Sequence, residues 1–322
     1  MQYIEIPQTD IKTSNICLGT AGFGTIINRQ ESFILLDTYF SEGGNFLDTA
    51  RVYGDWHNKR LGISENLLGQ WIKKRKNRDK LILATKGGHP NPWRKYGSRL
   101  SRKEIIFDLD KSLTTLGVDV IDLYWLHRDD INCSIDEVVD TLVDQVKVGK
   151  IRYFGCSNWQ LERIKAAREY ARQKKVLGFV ANQMMWSLAH VGGDVLEGKN
   201  TVLMDNDLKQ YHDDTGFVAV PYTSQAKGLF QKMENGTSSY MNVQLNLMYS
   251  DDLNRCRFRH LKQIAIQRGL SITEIVLGYL LSQPFPVIPI IGSRSVQQLQ
   301  DSMRGGDVKL LQEEIQFLEN CK

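Results

Sequence analysis

The amino-acid sequence predicts an α/β fold in which eight parallel strands close into a (β/α)8 barrel. Short apolar runs rich in β-branched residues alternate along the chain with longer amphipathic segments, which is the pattern of parallel strands joined by crossover helices. There are eight such runs, and each is apolar almost throughout, as strands covered on both faces are. The first run is followed by glycines at positions 19, 22 and 24, which do not fit the GxGxxG spacing of an open dinucleotide-binding sheet, so a closed barrel is favoured.

Each predicted element corresponds to one of these segments. The strands are assigned to residues 16–19, 45–48, 81–85, 121–126, 153–157, 179–183, 217–221 and 287–291. The helices are assigned to residues 31–41, 63–76, 102–116, 135–147, 160–173, 204–214, 251–268, 273–282 and 295–303. Ahead of the first strand, residues 3–17 alternate apolar and polar side chains around Gln8-Thr9-Asp10. The predicted fold is therefore a single TIM barrel with an N-terminal β-hairpin that closes its bottom.

Helix ends and domain organisation agree with this fold. Ser101 and Ser134 each precede a helix whose third residue is a glutamate (Glu104 and Glu137), which predicts two capping boxes. Gly117 and Gly149 follow these two helices in the way that helix-ending glycines do. No linker or low-complexity tract divides the 322 residues, a length that one barrel routinely reaches, so we expect a single domain over residues 1–322.

Composition and charge exclude several classes of protein. Hydrophobic residues make up 42% and charged residues 24%, which is ordinary for a globular protein. The net charge of +4, from 41 basic and 37 acidic residues, is too small to predict nucleic-acid binding. No apolar run approaches the roughly 18 residues of a membrane span, and the N-terminus lacks the basic and apolar regions of a signal peptide. We expect neither a nucleic-acid partner nor a membrane.

The cysteines predict no covalent framework. There are five, an odd number, without a CxxC pair, so neither a disulfide framework nor a zinc or other metal site is expected. Reduced thiols in a cytoplasmic protein are the better interpretation. The cysteines are Cys17, Cys133, Cys156, Cys256 and Cys321.

Four polar side chains lie where barrel enzymes carry their active sites, at the carboxyl ends of the strands. Asp48 ends the second strand, Tyr53 follows five residues later, and Lys86 and His127 follow the third and fourth strands. Reducing a carbonyl by hydride requires a proton at its oxygen, and a nearby ammonium lowers the pKa of a tyrosine from its usual value of about 10. A carboxylate can hold the ammonium, and a histidine can orient the carbonyl. Each residue alone has a structural interpretation, as a cap, a surface charge or a core side chain, but together they predict proton transfer.

Six segments carry a resemblance to the aldo-keto reductases, and they span essentially the whole chain. Each is a weak signal alone, whereas six in order at barrel spacing make a strong one. They are Asn45-Phe-Leu-Asp48-Thr-Ala-Arg-Val-Tyr53-Gly54, Ala84-Thr-Lys86-Gly, Asp122-Leu-Tyr-Trp-Leu-His127, Gly149-Lys150-Ile-Arg152-Tyr-Phe-Gly155-Cys-Ser157-Asn158, Asn182-Gln183-Met-Met-Trp-Ser187 and Pro289-Ile-Ile-Gly292-Ser-Arg294 with the following Gln297-Gln298-Leu-Gln-Asp301.

The resemblance implies a role for each of these residues. Tyr53 is implied as the general acid and base, Lys86 as the modulator of its pKa, Asp48 as the partner of Lys86, and His127 as the group that places the carbonyl. An NADP(H) cofactor is implied. By the resemblance, Ser157, Asn158 and Gln183 hold its carboxamide and Tyr222 stacks on its nicotinamide ring. Residues 223–229 wrap its pyrophosphate, and Arg294, Gln298 and Asp301 hold its adenosine end. The implied cofactor residues are Gly19, Thr20, Asp48, Ser157, Asn158, Gln183, Tyr222, Thr223, Ser224, Gln225, Gly228, Leu229, Gly292, Arg294, Gln298 and Asp301.

Several positions depart from the family pattern or allow more than one interpretation. Trp186 replaces a tyrosine that many relatives carry, and Ser302 replaces an asparagine of the adenosine clamp. Arg294 is either a phosphate-binding group or a solvated charge at a helix start. Trp56 and Trp93 are either substrate-pocket residues beside His127 or aromatic anchors of their loops.

The resemblance implies an NADP(H)-dependent oxidoreductase that reduces an aldehyde, ketone or sugar-like carbonyl. The polar stretch 127–130 after the fourth strand favours a hydroxylated substrate. Two alternatives stay open. One is a sugar or alcohol dehydrogenase working in the oxidative direction, which uses the same residues. The other is a cofactor-binding regulatory subunit, since potassium-channel β subunits also resemble this family. The sequence leaves the oligomeric state and the substrate undecided.

Overall fold

Eight parallel strands form one continuous sheet in the computed structural model, which describes residues 1–54, 62–90, 99–192, 200–236 and 247–321. Neighbours in the sheet follow one another in sequence, and the last strand pairs with the first. In chain order the strands are Cys17–Gly19, Phe46–Asp48, Ile82–Gly87, Ile121–Leu126, Ile151–Ser157, Ala181–Gln183, Val218–Ala219 and Ile290–Ile291.

Backbone hydrogen bonds close this sheet into a barrel. Ile290 pairs in register with Cys17 of the first strand. On its other side, the Ile288 N–H donates to the Ala219 carbonyl at 2.9 Å and the Ile290 N–H donates to the Pro221 carbonyl at 2.9 Å. Because the segment before Ile290 contacts both the seventh and the first strand, the sheet leaves no open edge there. The predicted (β/α)8 barrel is confirmed.

The predicted N-terminal hairpin also forms. Strands Tyr3–Glu5 and Lys12–Ser14 pair antiparallel. The side chains of Ile6 and Ile11 between them are buried and pack in the barrel interior with Cys17 and Phe46, which begin their strands. The hairpin therefore covers the end of the barrel opposite to the carboxyl ends of the strands.

Alternation along the strands decides which side chains enter the barrel. Leu123 and Trp125 belong to the interior cluster, whereas Tyr124 between them packs in the outer layer against the helices. The same period of two applies to the second and third strands, where Phe46 and Ala84 face the interior. The residues two positions further along, 48 and 86, continue these interior rows at the mouth.

Helices cover the outside of the sheet in the predicted order. Among the residues that the structure describes, two helices were not predicted, namely Leu229–Glu234 and Gln312–Glu319. The α-helices of these residues are Arg29–Ser41, Ile63–Arg75, Arg102–Leu116, Ile135–Lys147, Leu161–Gln173, Asn206–Thr215, Leu229–Glu234, Asp252–Arg268, Ile272–Leu281, Val296–Arg304 and Gln312–Glu319.

The two predicted capping boxes are wrong in their hydrogen bonds. The Ser101 hydroxyl donates to the Glu104 carboxylate at 2.8 Å instead of accepting a backbone N–H. A bond to a carboxylate is charge-assisted and therefore stronger than the neutral cap bond it replaces. Ser134 begins its helix without a side-chain cap bond. Complete side-chain boxes form instead at Asn28 with Glu31 and at Ser271 with Glu274.

The interpretation of all five cysteines as reduced thiols is also wrong. Cys256 on helix Asp252–Arg268 and Cys321 after the last helix form a disulfide. Their spacing of 65 residues gives no local signal, because the pair is made only when the end of the chain packs on the earlier helix. The other three cysteines, Cys17, Cys133 and Cys156, are not disulfide-bonded.

No single helix within the described ranges has both the length and the apolarity to cross a membrane. Helices Asp252–Arg268 and Ile272–Leu281 reach that length and apolarity only when counted together, and they are bent by 100° from one another.

Candidate active site

A buried ion pair occupies the centre of the barrel mouth. Lys86 and Asp48 are 2% and 1% exposed, and the Lys86 ammonium donates to the Asp48 carboxylate. It also donates to the Thr49 carbonyl at 2.9 Å and to the Tyr53 hydroxyl at 3.0 Å. These three acceptors match the three protons of an ammonium group. The lysine is therefore held in one orientation, between a carboxylate below it and a phenol at the mouth.

A tight turn brings Tyr53 to this ammonium. The Tyr53 N–H donates to the Ala50 carbonyl at 3.0 Å. The next residue, Gly54, has φ of +91°, and a Cβ there would lie 2.8 Å from the Ile63 side chain. Glycine is thus required both by the backbone conformation and by the close packing. The turn directs the chain back so that the tyrosine lies beside the strands.

Burial raises the pKa of Tyr53 above its ordinary value, and the Lys86 ammonium opposes this effect. From the sequence, Lys86 was expected to lower the pKa of the phenol below its ordinary value. The direction of the lysine's influence is as expected, but the loss of water around the buried hydroxyl outweighs it. The phenol therefore stays protonated at neutral pH.

The pKa of Lys86 is raised despite its burial. Burial disfavours the ammonium and would lower this pKa, but the Asp48 carboxylate and then the Tyr53 hydroxyl outweigh it. Lys86 is consequently a fixed positive charge, and any negative charge that develops on the neighbouring phenol oxygen is stabilised by it.

His127 is a neutral imidazole at the same mouth. Its backbone N–H donates to the Gly87 carbonyl at 2.8 Å, which continues the pairing of the third and fourth strands. The ring lies edge-on to Tyr53, with centroids 5.9 Å apart. Burial, followed by the charges of His89 and Lys86, lowers the pKa of His127 well below its usual range. Its Nδ1 atom is buried and has no hydrogen-bond partner among the described residues.

Gln183 joins the cluster from the sixth strand. Its Nε2 donates to the second carboxylate oxygen of Asp48 at 2.8 Å. This bond fixes which way the amide points, because a carboxylate accepts only from the amide nitrogen. The Oε1 atom is left buried with no partner in the described part of the chain. Gln183 thus offers one unused acceptor at the mouth.

A chain of polar contacts links the fifth, sixth and seventh strand ends. The Tyr222 hydroxyl donates to Asn158 Oδ1 at 2.5 Å, and Asn158 Nδ2 donates to Ser157 Oγ at 3.0 Å. The Asn158 N–H donates to the Gln183 carbonyl at 2.9 Å. The structure therefore brings together all four residues that the sequence analysis assigned to the carboxamide and nicotinamide ring.

Two residues of the mouth were missed from the sequence. The His89 ring lies 4.7 Å from that of His127, and the Arg128 charge acts on Tyr53, on His127 and on Tyr222. Arg128 Nη1 is buried without a hydrogen-bond partner among the described residues. Their positions in the sequence could have indicated them, because His89 follows the third strand, which carries Lys86, and Arg128 follows His127 after the fourth strand.

The polar stretch after the fourth strand is largely used for structure. Asp129 forms a two-pronged ion pair with Arg163, with a shortest distance of 2.9 Å. Asp130 accepts hydrogen bonds from Asn132 at 2.9 and 3.0 Å, which closes a turn. These carboxylates therefore bind neighbouring segments of the chain, and they do not favour a hydroxylated substrate.

The segments assigned to the pyrophosphate and adenosine lie beside one another. Ser224 Oγ donates to the Ile290 carbonyl at 2.6 Å, and Gln225 Nε2 donates to Ser302 Oγ at 3.0 Å. Ser302, the departure from the family pattern, is buried and serves this contact. The pyrophosphate segment also contains Thr223, Gly228 and Leu229. Gly228 precedes helix Leu229–Glu234, and the Leu229 side chain is buried.

The adenosine residues differ in how accessible their side chains are. Arg294 is exposed, and its backbone N–H donates to Gln298 Oε1 at 2.9 Å. Asp301 accepts from Gln297 at 2.9 Å and pairs with Arg304 at 2.5 Å within its own helix. Gly292 is exposed, with open space where a Cβ would be. Arg294, Gln298 and Gly292 are therefore exposed, whereas Asp301 is half-buried.

Gly19 and Thr20 are packed into the rim of the barrel. A Cβ on Gly19 would lie 2.7 Å from the Ile290 side chain. Thr20 is buried, and its hydroxyl bonds to Ser64 Oγ at 2.8 Å and to the Asp48 carbonyl at 3.1 Å. Gly19 and the Thr20 side chain are therefore held against neighbouring segments of the rim. Trp56 and Trp93 lie outside the described residues.

A barrel that gathers a phenol, an ammonium, a carboxylate and a neutral imidazole at its mouth has the groups expected of a carbonyl oxidoreductase. A model of the Aldo/keto reductase family matches residues 15–322, and the chain belongs to this family.

Relatives and a solved structure agree with this membership. Norsolorinic acid reductase B of Dothistroma septosporum is 28% identical over 99% of this chain and 81% of its own length. An uncharacterized oxidoreductase of Bacillus subtilis is 27% identical, with 99% and 95% covered. An aryl-alcohol dehydrogenase [NADP(+)] of Phanerodontia chrysosporium is 28% identical, with 93% and 77% covered. A thermostable aldo-keto reductase solved with the inhibitor epalrestat shares the fold, with a TM-score of 0.73, 23% identity and 99% of both chains covered.

Proposed function

We propose that this protein is an NADP(H)-dependent carbonyl reductase in which Tyr53 delivers the proton. The observation that carries the proposal is the buried chain from Asp48 through Lys86 to Tyr53, next to the neutral ring of His127. Such a chain holds a proton on the phenol and stabilises the charge left when the proton departs.

The nicotinamide cofactor supplies the hydride, and the side chains of the protein manage the proton. A protonated Tyr53 donates to the carbonyl oxygen as negative charge develops there. The resulting phenolate is stabilised by Lys86 Nζ, 3.0 Å away, and the ammonium is held in place by Asp48. His127 is uncharged, so its ring donates a hydrogen bond to the carbonyl oxygen without losing a proton.

The mouth fits the carboxamide of a nicotinamide. Gln183 has a buried carbonyl oxygen with no partner in the described structure, and this acceptor suits the NH2 of a carboxamide. Ser157 and Asn158 lie next to it on the neighbouring strand, paired in register at Ser157 and Gln183. Tyr222, bonded to Asn158, gives an aromatic ring beside this position. We assign these four residues to the nicotinamide end of the cofactor.

NADP(H) is proposed over NAD(H) because of Arg294. This guanidinium is exposed at the start of helix Val296–Arg304, where the positive end of the helix dipole also favours an anion. Its side chain is thus accessible for the 2′-phosphate. Arg294→Ala should weaken NADPH binding by about 1.5–3 kcal/mol, the usual value of a hydrogen bond to a charged group. NADH binding should change much less, and equal losses measured by calorimetry would assign Arg294 to helix support.

The favoured substrate is an aromatic aldehyde or ketone. The carboxylates that suggested a sugar are engaged by Arg163 and Asn132. One relative is named as an aryl-alcohol dehydrogenase, which also supports an oxidative reaction on the corresponding alcohol as the second candidate.

We propose that residues 1–322 form one catalytic domain, and no observation favours a purely regulatory role.

A turnover screen tests the proposal. Purified protein is supplied with NADPH or NADH and with benzaldehyde-type carbonyls, aliphatic aldehydes and sugars, and cofactor oxidation is followed by absorbance. The alcohols of the same panel are tested with NADP+. Faster turnover of aromatic carbonyls with NADPH supports the proposal. Binding of NADPH without turnover of any carbonyl or alcohol would favour the regulatory alternative instead.

A further inference from the structure

Three potential metal ligands, from helix Asp252–Arg268 and from the segment after the last helix, lie close together. Cys256 and His260 lie four residues apart on helix Asp252–Arg268, which places them on one face of that helix. Cys321 follows the last helix, Gln312–Glu319. One ligand atom from each of these half-buried residues lies within 4.8 Å of the other two. None of them contributes to the proposed carbonyl chemistry.

The His260 ring is oriented as the ring of a metal-binding histidine is. Its Nδ1 donates to the Phe317 carbonyl at 2.6 Å, so Nε2 carries the lone pair. A backbone carbonyl in this position is the usual outer partner of a metal-bound imidazole. Nε2 is 3.7 Å from Cys256 Sγ, and Cys321 Sγ lies 3.6 Å from Nδ1. Ligand atoms of a tetrahedral zinc site are separated by roughly 3.5 Å, given bonds of about 2.3 Å to sulfur and about 2.0 Å to nitrogen.

The last helix, Gln312–Glu319, contacts neighbouring helices through residues other than the cysteines. The Phe317 and His260 rings are stacked with centroids 4.0 Å apart. Arg268 forms an ion pair with Glu314 at 2.9 Å. Glu319 accepts from Tyr279 at 2.7 Å and from Lys209 at 3.1 Å. Cys321 therefore stays near Cys256 and His260 when the disulfide is opened.

We propose that Cys256, His260 and Cys321 bind one thiophilic divalent cation, Zn2+, when the disulfide is reduced. Two thiolates and one neutral imidazole are the ligands that Zn2+ prefers, and three protein ligands leave the fourth tetrahedral position to water. The site has two exclusive states, because the disulfide uses both sulfur atoms. Reduction by a phosphine or a dithiol adds two electrons and two protons and gives two thiols. Binding of Zn2+ then releases these two protons to solvent.

Cobalt(II) is the probe for this site. Untagged protein is reduced with a phosphine, freed of reductant under inert gas and titrated with Co2+. The expected result is one equivalent bound, with the visible bands of tetrahedral thiolate coordination, which disappear when Zn2+ is added. The oxidised protein should show no such bands. Reduced protein that develops no bands, with both thiols shown to be free by alkylation and mass spectrometry, overturns the proposal.

Variants separate the three ligands from general effects. Cys256→Ser and Cys321→Ser should each abolish the thiolate bands. His260→Gln should weaken Co2+ binding by more than about 100-fold, the upper range for loss of an outer partner. Cys133→Ser is the matched control and should bind like the parent, since Cys133 contacts Asp130 in a different part of the barrel. Cys321 is half-buried and lies outside the helices and strands, so its variant is expected to fold, which circular dichroism verifies. Bands that survive in Cys256→Ser would also overturn the assignment.

Discussion

Replacing Tyr53 by phenylalanine should separate proton transfer from folding and from cofactor binding. The substitution removes one hydroxyl, which accepts from Lys86 Nζ at 3.0 Å. Lys86 keeps its bonds to Asp48 and to the Thr49 carbonyl, so its charge stays compensated and the barrel should remain stable. Loss of a general acid typically lowers turnover by about 10²–10⁴-fold. This corresponds to about 3–5 kcal/mol in the activation barrier.

The assay compares turnover of an aromatic aldehyde, NADPH affinity and thermal midpoint for the parent and the variant. The matched control is Tyr153→Phe, which removes a hydroxyl at the opposite end of the barrel, where it contacts Asp10 at 2.8 Å. The control should keep the parent turnover. If Tyr53→Phe retains turnover within a few-fold of the parent, Tyr53 does not donate the proton and the mechanism is refuted.

Three further outcomes are expected. Lys86→Met should lower the free energy of unfolding by about 3–5 kcal/mol, because it leaves Asp48 buried without its cation, and a urea titration measures this; a loss below 1 kcal/mol would contradict it. Because the pKa of Tyr53 is raised, the carbonyl reduction rate should not fall between about pH 7 and 9 through loss of the phenol proton, whereas alcohol oxidation should rise; the two pH profiles decide this. Burial lowers the pKa of His212 to about 4, so the folded state disfavours the charged ring. Its contribution to the free energy of unfolding is fully present above the unfolded pKa of about 6.5 and should be lost, by up to about 3 kcal/mol, as the pH falls towards 4; acid titrations of the parent and His212→Asn test this.

Features that repeat along the chain could be predicted from the sequence. The fourth strand was assigned to residues 121–126 and is observed as Ile121–Leu126, because five of its six residues are apolar, as expected of a strand covered on both faces. Strand ends then indicate which polar side chains share the mouth. Asp48, Lys86 and Tyr53 meet as expected, since parallel strands place their carboxyl ends on one side.

Features made by distant segments could not be predicted in this way. The bond from Gln183 to Asp48 joins residues 135 positions apart, and the disulfide joins residues 65 positions apart. No periodic pattern encodes such contacts, because they depend on how finished elements pack. The direction of the Tyr53 pKa shift could not be predicted either. Burial raises this pKa and the Lys86 charge lowers it, and the outcome depends on how much water the fold removes from the hydroxyl.

The interior rows that lead from Phe46 to Asp48 and from Ala84 to Lys86 make strand length part of the chemistry. One residue inserted between Phe46 and Asp48 would turn the carboxylate towards the helices, because side chains change face at every step. An insertion of two would restore the face but raise the carboxylate by one rung, about 7 Å along the strand. The apolar residues of these rows can therefore be replaced by others of similar volume, whereas the number of residues in each strand cannot change. In this protein the alternation of side chains along two short strands determines function as much as the identity of any side chain at the mouth.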